Sequence, residues 1–483
     1  MKANSDKSKQ SNKATRHVLA GVLCGASVLS LVLSLVMPPI SQAIANDAEA
    51  APTEEAVADE NTLDEEAGAG NSTGKDAENR ISDDGEGGEG EDTAAADPAA
   101  DDTGAESAAQ PADDGQSVDK AATVANEGEA RELEIDSEGY ALLKSDNDLS
   151  TYLALPAANK PAKLRLAADI SSSEPIPINE NTTINKDTTI DLAHHKLYYS
   201  SGNNDIGDAG RTFITISKGK TLTVEGKAND SWTEVASGDP GRLATMQFDD
   251  ESVPQQLTYY VTESTPNGLG TSEKTYLHTV TDFGAIVACK KGYVNRVISV
   301  EEGGTLNLKG GMITTPRTLG SDGHVILSQG AANISGGYVT NGNGGGWGGG
   351  LCITGANASL EMTDGVVAGN KAASGGGVYA DNGATLKLTG GIISGNATYG
   401  EADGLGGGIL ASGGSVTVSG GYITNNKYAK YCGNDGQGDH GGAGFAANNG
   451  AHVAISGGQI TGNYSEEAGG GVYVTNIFHS GMA

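Results

Sequence analysis

Residues 375–396 read GGGVYADNGATLKLTGGIISGN, and residues 406–426 return the pattern as GGGILASGGSVTVSGGYITNN. The same opening recurs as Gly348-Gly349-Gly350-Leu351, Gly441-Gly442-Ala443-Gly444-Phe445 and Gly469-Gly470-Gly471-Val472, with start-to-start spacings of 27, 31, 35 and 28 residues. A second alternating segment follows in each unit (Leu360-Glu361-Met362, Leu386-Lys387-Leu388, Val416-Thr417-Val418, Val453-Ala454-Ile455). After a small-residue turn comes a third segment that ends in Asn370, Asn396, Asn426 or Asn463. A fixed period near 30 residues with three short strands per unit marks stacked repeats, because one unit cannot bury its own apolar edges. Degenerate copies lie at Leu306-Asn307-Leu308 with Met312-Ile313, and at Asn333-Ile334 with Tyr338-Val339.

Period-two alternation assigns the faces. In the second strand both flanking apolar residues point inward. In the third, the β-branched second position (Val367, Ile393, Ile423, Ile460) points inward and the first points out. The four asparagines fall at one corner, where they are expected to stack as a structural amide ladder: asparagine tolerates the left-handed turn and bonds backbone. Tyr379, Leu410, Phe445 and Tyr473 are expected outward on the first strands. Met312, Tyr338, Val366, Ile392, Tyr422 and Gln459 are expected outward on the third. So dense an exposed apolar row exceeds what a monomer usually shows to water. Either loops fold over it, or stacking alone stabilises it, or it binds something.

These units resemble the right-handed parallel β-helix, the pectin-lyase-like fold, in its bacterial surface-protein, adhesin-like form. Gly441-Gly442-Ala443 with Phe445-Ala446-Ala447-Asn448 is similar to the GGA and FxxN pair of polymorphic outer-membrane protein repeats, in this one rung. Residues 166–197 look like the family's N-terminal cap and first rung, although the usual IDLNGHTL has Asn-Gly where this chain has Ala193-His194. The resemblance covers about Leu133 to Asn476 and implies fold more strongly than function.

The rest of the chain differs in kind. Of 483 residues, 73 are glycine, and 49 of these lie between Gly303 and Gly481. Residues 46–138 hold 30 Asp/Glu against four Lys/Arg, and the first aromatic ring is Tyr140. Such a segment cannot offset its chain entropy by burial and reads as a disordered acidic stalk over 46–130. Residues 1–45 read as a signal peptide: a basic start, an uncharged Val18–Met37 run and an Ala43-Ile44-Ala45 site before Asn46, so cleavage is expected between Ala45 and Asn46. The run is also long enough for an uncleaved transmembrane segment, the one route by which this chain would meet a membrane. Residues 131–228 read as a cap with first rungs, including a short helix at 148–155 capped by Asp148. Residues 229–292 read as an inserted hairpin around Pro266-Asn267-Gly268, residues 293–476 as the glycine-rich repeats, and 477–483 as a truncated tail that leaves the last rung unfinished.

The expected class is therefore all-β: a right-handed parallel β-helix solenoid behind a signal segment and stalk, secreted or at the cell surface. The acidic charge excludes nucleic acid as a partner. No catalytic constellation, cofactor motif or metal-ligand spacing is recognisable. Asp249-Asp250 is a lone pair, and glycoside hydrolysis needs two carboxylates about 5–10 Å apart. Gly433–Asp439 holds one copy of a calcium-type turn, and His194-His195 read as a turn. Glu361 and Lys387 are expected to pair across rungs. The functional expectation is a non-catalytic adhesin binding a polysaccharide or host cell surface, with Tyr379, Phe445, Tyr473 and Tyr422 as the binding rings. A polysaccharide lyase or hydrolase and a structural spacer are the alternatives.

Overall fold

The computed structural model describes residues 132–178, 187–199, 212–249, 252–268, 270–288, 294–316, 319, 323–399, 404–429 and 441–475. The signal segment, the acidic stalk, Gly433–Asp439 and the 477–483 tail lie outside them. Among the described residues the chain is predominantly β, with one α-helix.

The first strands of the units form a nine-stranded sheet from Ile176–Ile178 to Val472–Val474. The second and third strands share a seventeen-stranded sheet. A small four-stranded sheet (Lys371–Ala372, Ala397–Thr398, Lys427–Tyr428, Tyr464–Ser465) follows the asparagine corner. Pairing within all three is parallel and steps from one unit to the next. Val378 pairs with Ile409, Leu386 with Val416, and Ile393 with Ile423. This arrangement is compatible with the solenoid expected from the repeats.

Alternation fills the core. Val378, Ala380, Leu386, Leu388 and Ile393 are buried, as are Ile409, Ala411, Val416, Val418 and Ile423 one unit on. The degenerate units supply Leu306, Leu308, Ile313, Ala332, Ile334 and Val339 to the same continuous core. Each buried Val, Leu or Ile here contributes about 1.5–3 kcal/mol of hydrophobic free energy. The triple glycine is required by space as well as conformation. Gly375 has φ +62°, and a Cβ on Gly376 would lie 2.2 Å from the Ala397 carbonyl oxygen.

The N-terminal cap departs from expectation in its boundary. The helix spans Asp146–Ala154, and Ser145 is the N-cap residue. Asp148 sits inside the first turn, where its carboxylate accepts from the Lys144 amide (2.9 Å) and the Ser145 hydroxyl (3.0 Å). A carboxylate there can reach back to groups preceding the helix, which the simple capping pattern does not anticipate. Leu149 and Tyr152 seal this end of the core.

The insertion is larger than a hairpin. Pro254–Pro266 and Thr271–Thr281 pair antiparallel through a turn at Gly268. Asn229–Val235 and Thr245–Phe248 add a strand on either side, giving a four-stranded antiparallel sheet. It lies across successive units. The Ser394 hydroxyl donates to the Tyr260 carbonyl and the Thr461 hydroxyl to that of Thr262. The Thr262 amide donates to Thr424 Oγ1 (3.2 Å) and the Ser264 amide to Gln459 Oε1 (2.8 Å). Side chains from three consecutive rungs thus bond the backbone edge of one inserted strand, which settles polar groups that would otherwise be buried without partners.

Candidate functional site

Two outward rows were expected, either covered by loops, stabilised by stacking or open to a ligand at Tyr379, Phe445, Tyr473 and Tyr422, and the insertion covers one of them. Leu257, Tyr259 and Val261 pack on Met312 and Val366 in a second apolar cluster, with Tyr338, Ile392 and Tyr422 against it. Tyr422 is half-buried, its hydroxyl donates to Glu263 Oε1 (3.0 Å), and burial pushes its pKa up to about 12. Tyr422 is therefore a packing residue beneath the insertion and is not an open ring of a stripe. Covering the row removes two apolar surfaces from water at once.

The first-strand row is also revised. Ile409 pairs with Phe445, and Leu410 pairs with Ala446. The step between these units is thus 36 residues, one more than the glycine spacing indicates. Phe445 is fully buried in the main core, and the outward position of its rung belongs to Ala446. The outward row reads Leu327, Cys352, Tyr379, Leu410, Ala446 and Tyr473, with Leu405 beside it. Tyr379 is only 8% exposed and Tyr473 is half-buried. A run of bare tyrosines is not what the face presents.

What it does present is Trp347, which sequence reading passed over because it lies inside a glycine run. Its ring is 41% exposed and stacks on Tyr379 (centroids 6.1 Å apart, planes 22° apart). Two residues after each outward apolar position the strand turns a polar side chain to the same face: Thr354, Asp381, Ser412 and Asn448. Asn382 and Asn449 follow in left-handed conformation. Asn382 Nδ2 donates to Asp381 Oδ2 (3.0 Å) and Thr354 Oγ1 (3.2 Å), and Asn449 Nδ2 donates to Ser412 Oγ (2.7 Å). Asp381 Oδ1 and Asn448 Oδ1 are buried without a hydrogen-bond partner. Burial raises the Asp381 carboxyl pKa, against the hydrogen bonds from Thr354, Tyr379 and Asn382. Burial also pushes the Cys352 thiol up to about 12, assisted by Asp381 and opposed by Arg296. Cys352 is consequently an inert packing thiol. A flat ring beside fixed acceptors and amides can hold a polyhydroxylated molecule by stacking and hydrogen bonding. Among the described residues the row carries one carboxylate, Asp381, whereas glycosidic cleavage uses two.

The asparagine ladder is a separate, structural feature. Asn370 Nδ2 donates to Asn396 Oδ1 (3.0 Å), Asn396 to Asn426 (3.0 Å) and Asn426 to Asn463 (3.0 Å). The backbone amides of the first three bond the same oxygens.

His194 lies in a turn with Nδ1 2.9 Å from the Asp282 carbonyl oxygen, and His195 is 3.6 Å from Asp169. Lys387 and Glu361 form the cross-rung pair at 2.8 Å. Among the described residues no three His, Cys, Asp or Glu side chains group as a metal site, and no helix is long and apolar enough to cross a membrane. The Ala45/Asn46 cleavage site, the Val18–Met37 run and the calcium-type turn lie outside the described residues. No protein-family model, curated protein or solved structure matches the chain.

Proposed function

We propose that the chain is an exported, cell-surface right-handed parallel β-helix of the pectin-lyase-like kind, held off the envelope by its acidic stalk, that acts as a non-catalytic adhesin for a polysaccharide or host cell surface. Parallel pairing at one-unit steps supports the solenoid reading, and the basic, apolar, A-x-A order of residues 1–45 supports export. The observation that carries the binding reading is Trp347. A large ring left 41% exposed, and oriented by stacking on Tyr379 on the sheet face that also carries the Thr354–Asp381–Asn382 hydrogen bonds, supplies rigid apolar area at low entropic cost. Residues 139–483 hold 31 Asp/Glu against 21 Lys/Arg, an acidic balance that disfavours anionic glycans and favours a neutral polysaccharide as the ligand.

The test is a glycan panel and a cell-binding assay on the full chain and its Trp347→Ala variant. Far-UV circular dichroism of both verifies that the fold is kept. Loss of binding in the folded variant is the expected result. Equal binding by both discards the site, and no binding by either leaves the chain a spacer. Release of reducing or unsaturated sugar ends would replace the adhesin with a hydrolase or lyase.

A further inference from the structure

We infer that the inserted sheet carries a second glycan-binding position, on its outer strand Asn229–Val235, for a neutral hydroxyl-rich saccharide. The inference is independent of the Trp347 site, which lies on another sheet. The chain has two tryptophans, and both are among its exposed large apolar side chains. Trp232 is the more open, at 61% exposure, on a strand whose residues 229–234 are all exposed. Its ring is held edge-on against Tyr276 (centroids 5.0 Å apart, planes at 84°). Directly across the strand pair from Trp232, on the same face, is His278.

His278 is fixed with unusual completeness. Nδ1 lies 3.1 Å from Asp230 Oδ1. The other oxygen of Asp230 accepts from the Tyr259 hydroxyl (2.8 Å) and, reaching over from the rung below, the Tyr338 hydroxyl (3.2 Å). The imidazole also stacks on the Tyr259 ring at 4.6 Å. With Nδ1 donating to a carboxylate, Nε2 is left as the ring's remaining hydrogen-bonding atom. The face thus sets a flat, oriented ring beside a positioned imidazole, with Glu234 and Lys274 (3.0 Å apart) at its end. That is the chemistry of a sugar site: stacking for the C–H face, and donors and acceptors for the hydroxyls.

Two other occupants fit less well. A second copy pairing antiparallel edge to edge about Trp232 would set Asp230 opposite Glu234, and like charges directly opposed are unfavourable. An anionic ligand would meet the same two carboxylates.

The two tryptophans also make the experiment. In the full chain carrying Trp347→Phe, all indole emission comes from Trp232, and in Trp232→Phe all of it comes from Trp347. Each variant is titrated with β-1,4-linked hexamers of glucose, xylose and mannose. The expected result is a saturable emission shift in Trp347→Phe for at least one hexamer, weakened about tenfold by adding His278→Ala, since one hydrogen bond to a positioned group is worth about that factor. The Tyr259 and Tyr338 packing is checked by an unchanged melting curve. No shift in Trp347→Phe with any hexamer overturns the second site, whether or not Trp232→Phe responds. A response of Trp232→Phe bears only on the first site. Full affinity after His278→Ala also overturns it, as does concentration-dependent dimerisation that Trp232→Ala abolishes.

Discussion

Replacing Asn396 by alanine tests the stacked architecture most directly. The side chain is fully buried and makes four hydrogen bonds to three neighbours. Its Oδ1 accepts from the Asn370 amide and from Asn370 Nδ2, both at 3.0 Å. Its Nδ2 donates to the Val367 carbonyl (2.9 Å) and to Asn426 Oδ1 (3.0 Å). Asn370 Nδ2 keeps the Val339 carbonyl as a partner, and Asn426 Oδ1 keeps the Asn396 amide. Alanine therefore orphans the buried Asn370 N–H and takes one hydrogen bond from the Val367 carbonyl, which also lies in the parallel ladder. At about 1–3 kcal/mol for the orphaned N–H and about 1 kcal/mol for the lost bond, the loss is about 2–4 kcal/mol, a large part of a typical domain's stability. Asn463, half-buried at the end of the ladder, should cost only about 1 kcal/mol, because water can replace it. The assay is urea unfolding followed by circular dichroism, with hydrogen exchange at the Asn370 and Asn426 amides. Asn396→Asp adds a second readout: its new oxygen would face the Val367 and Asn426 oxygens. Its folded carboxyl pKa must then lie above the ordinary value near 3.9, so its deficit relative to parent should shrink as pH falls below the folded pKa. A cost for Asn396→Ala no larger than that of the exposed Thr417→Ala, or a gradient that rises toward Asn463, would refute the ladder's energetic role.

Four further outcomes are expected. Ile393→Asp should abolish the cooperative transition, since it buries an unpaired carboxylate, whereas Ile392→Asp should cost about 2–3 kcal/mol and make residues 229–281 sensitive to limited proteolysis, because Ile392 sits beneath the insertion. Combining Ser394→Ala, Thr424→Val and Thr461→Val should raise hydrogen exchange at the Thr262 amide while leaving core second strands protected. Ala193 has φ +48°, so Ala193→Asn should raise stability by about 1 kcal/mol in a thermal melt. Burial raises the Asp381 carboxyl pKa, so its charged form costs stability above the folded pKa and that cost fades as pH falls toward the ordinary range; Asp381→Asn should therefore melt higher than parent at pH 7 and equal to it in acid.

Strand order and core face were readable because each unit repeats the same local rule, and a repeated rule survives noise in any one copy. Leu386, Leu388 and Ile393 needed only their own neighbours to be placed. Phe445 was misplaced because its unit opens Gly-Gly-Ala-Gly, and counting from the first glycine shifts the frame by one. The strand's far end held the correct register: Ala380, Ala411 and Ala447 are small inward residues, each followed by a polar corner residue, Asp381, Ser412 or Asn448. Volume there is limited by the facing strands, so small size is a firmer marker of register than the glycines.

The covering of the third-strand row was legible only in part, because docking of Leu257, Tyr259 and Val261 joins segments from about 50 to about 165 residues apart and no local period reports that. An apolar outward row such as Met312, Tyr338, Val366, Ile392 and Tyr422 still makes a demand on the rest of the chain, since that much surface is costly in water. The inserted strand's own alternation of Leu257, Tyr259 and Val261 was the matching half. Once the two halves are set together, the rings they explain cease to be candidates for binding. Trp232 and Trp347 remain, because no strand of this fold requires a large ring at either place, and each is nevertheless held in one orientation by an aromatic neighbour.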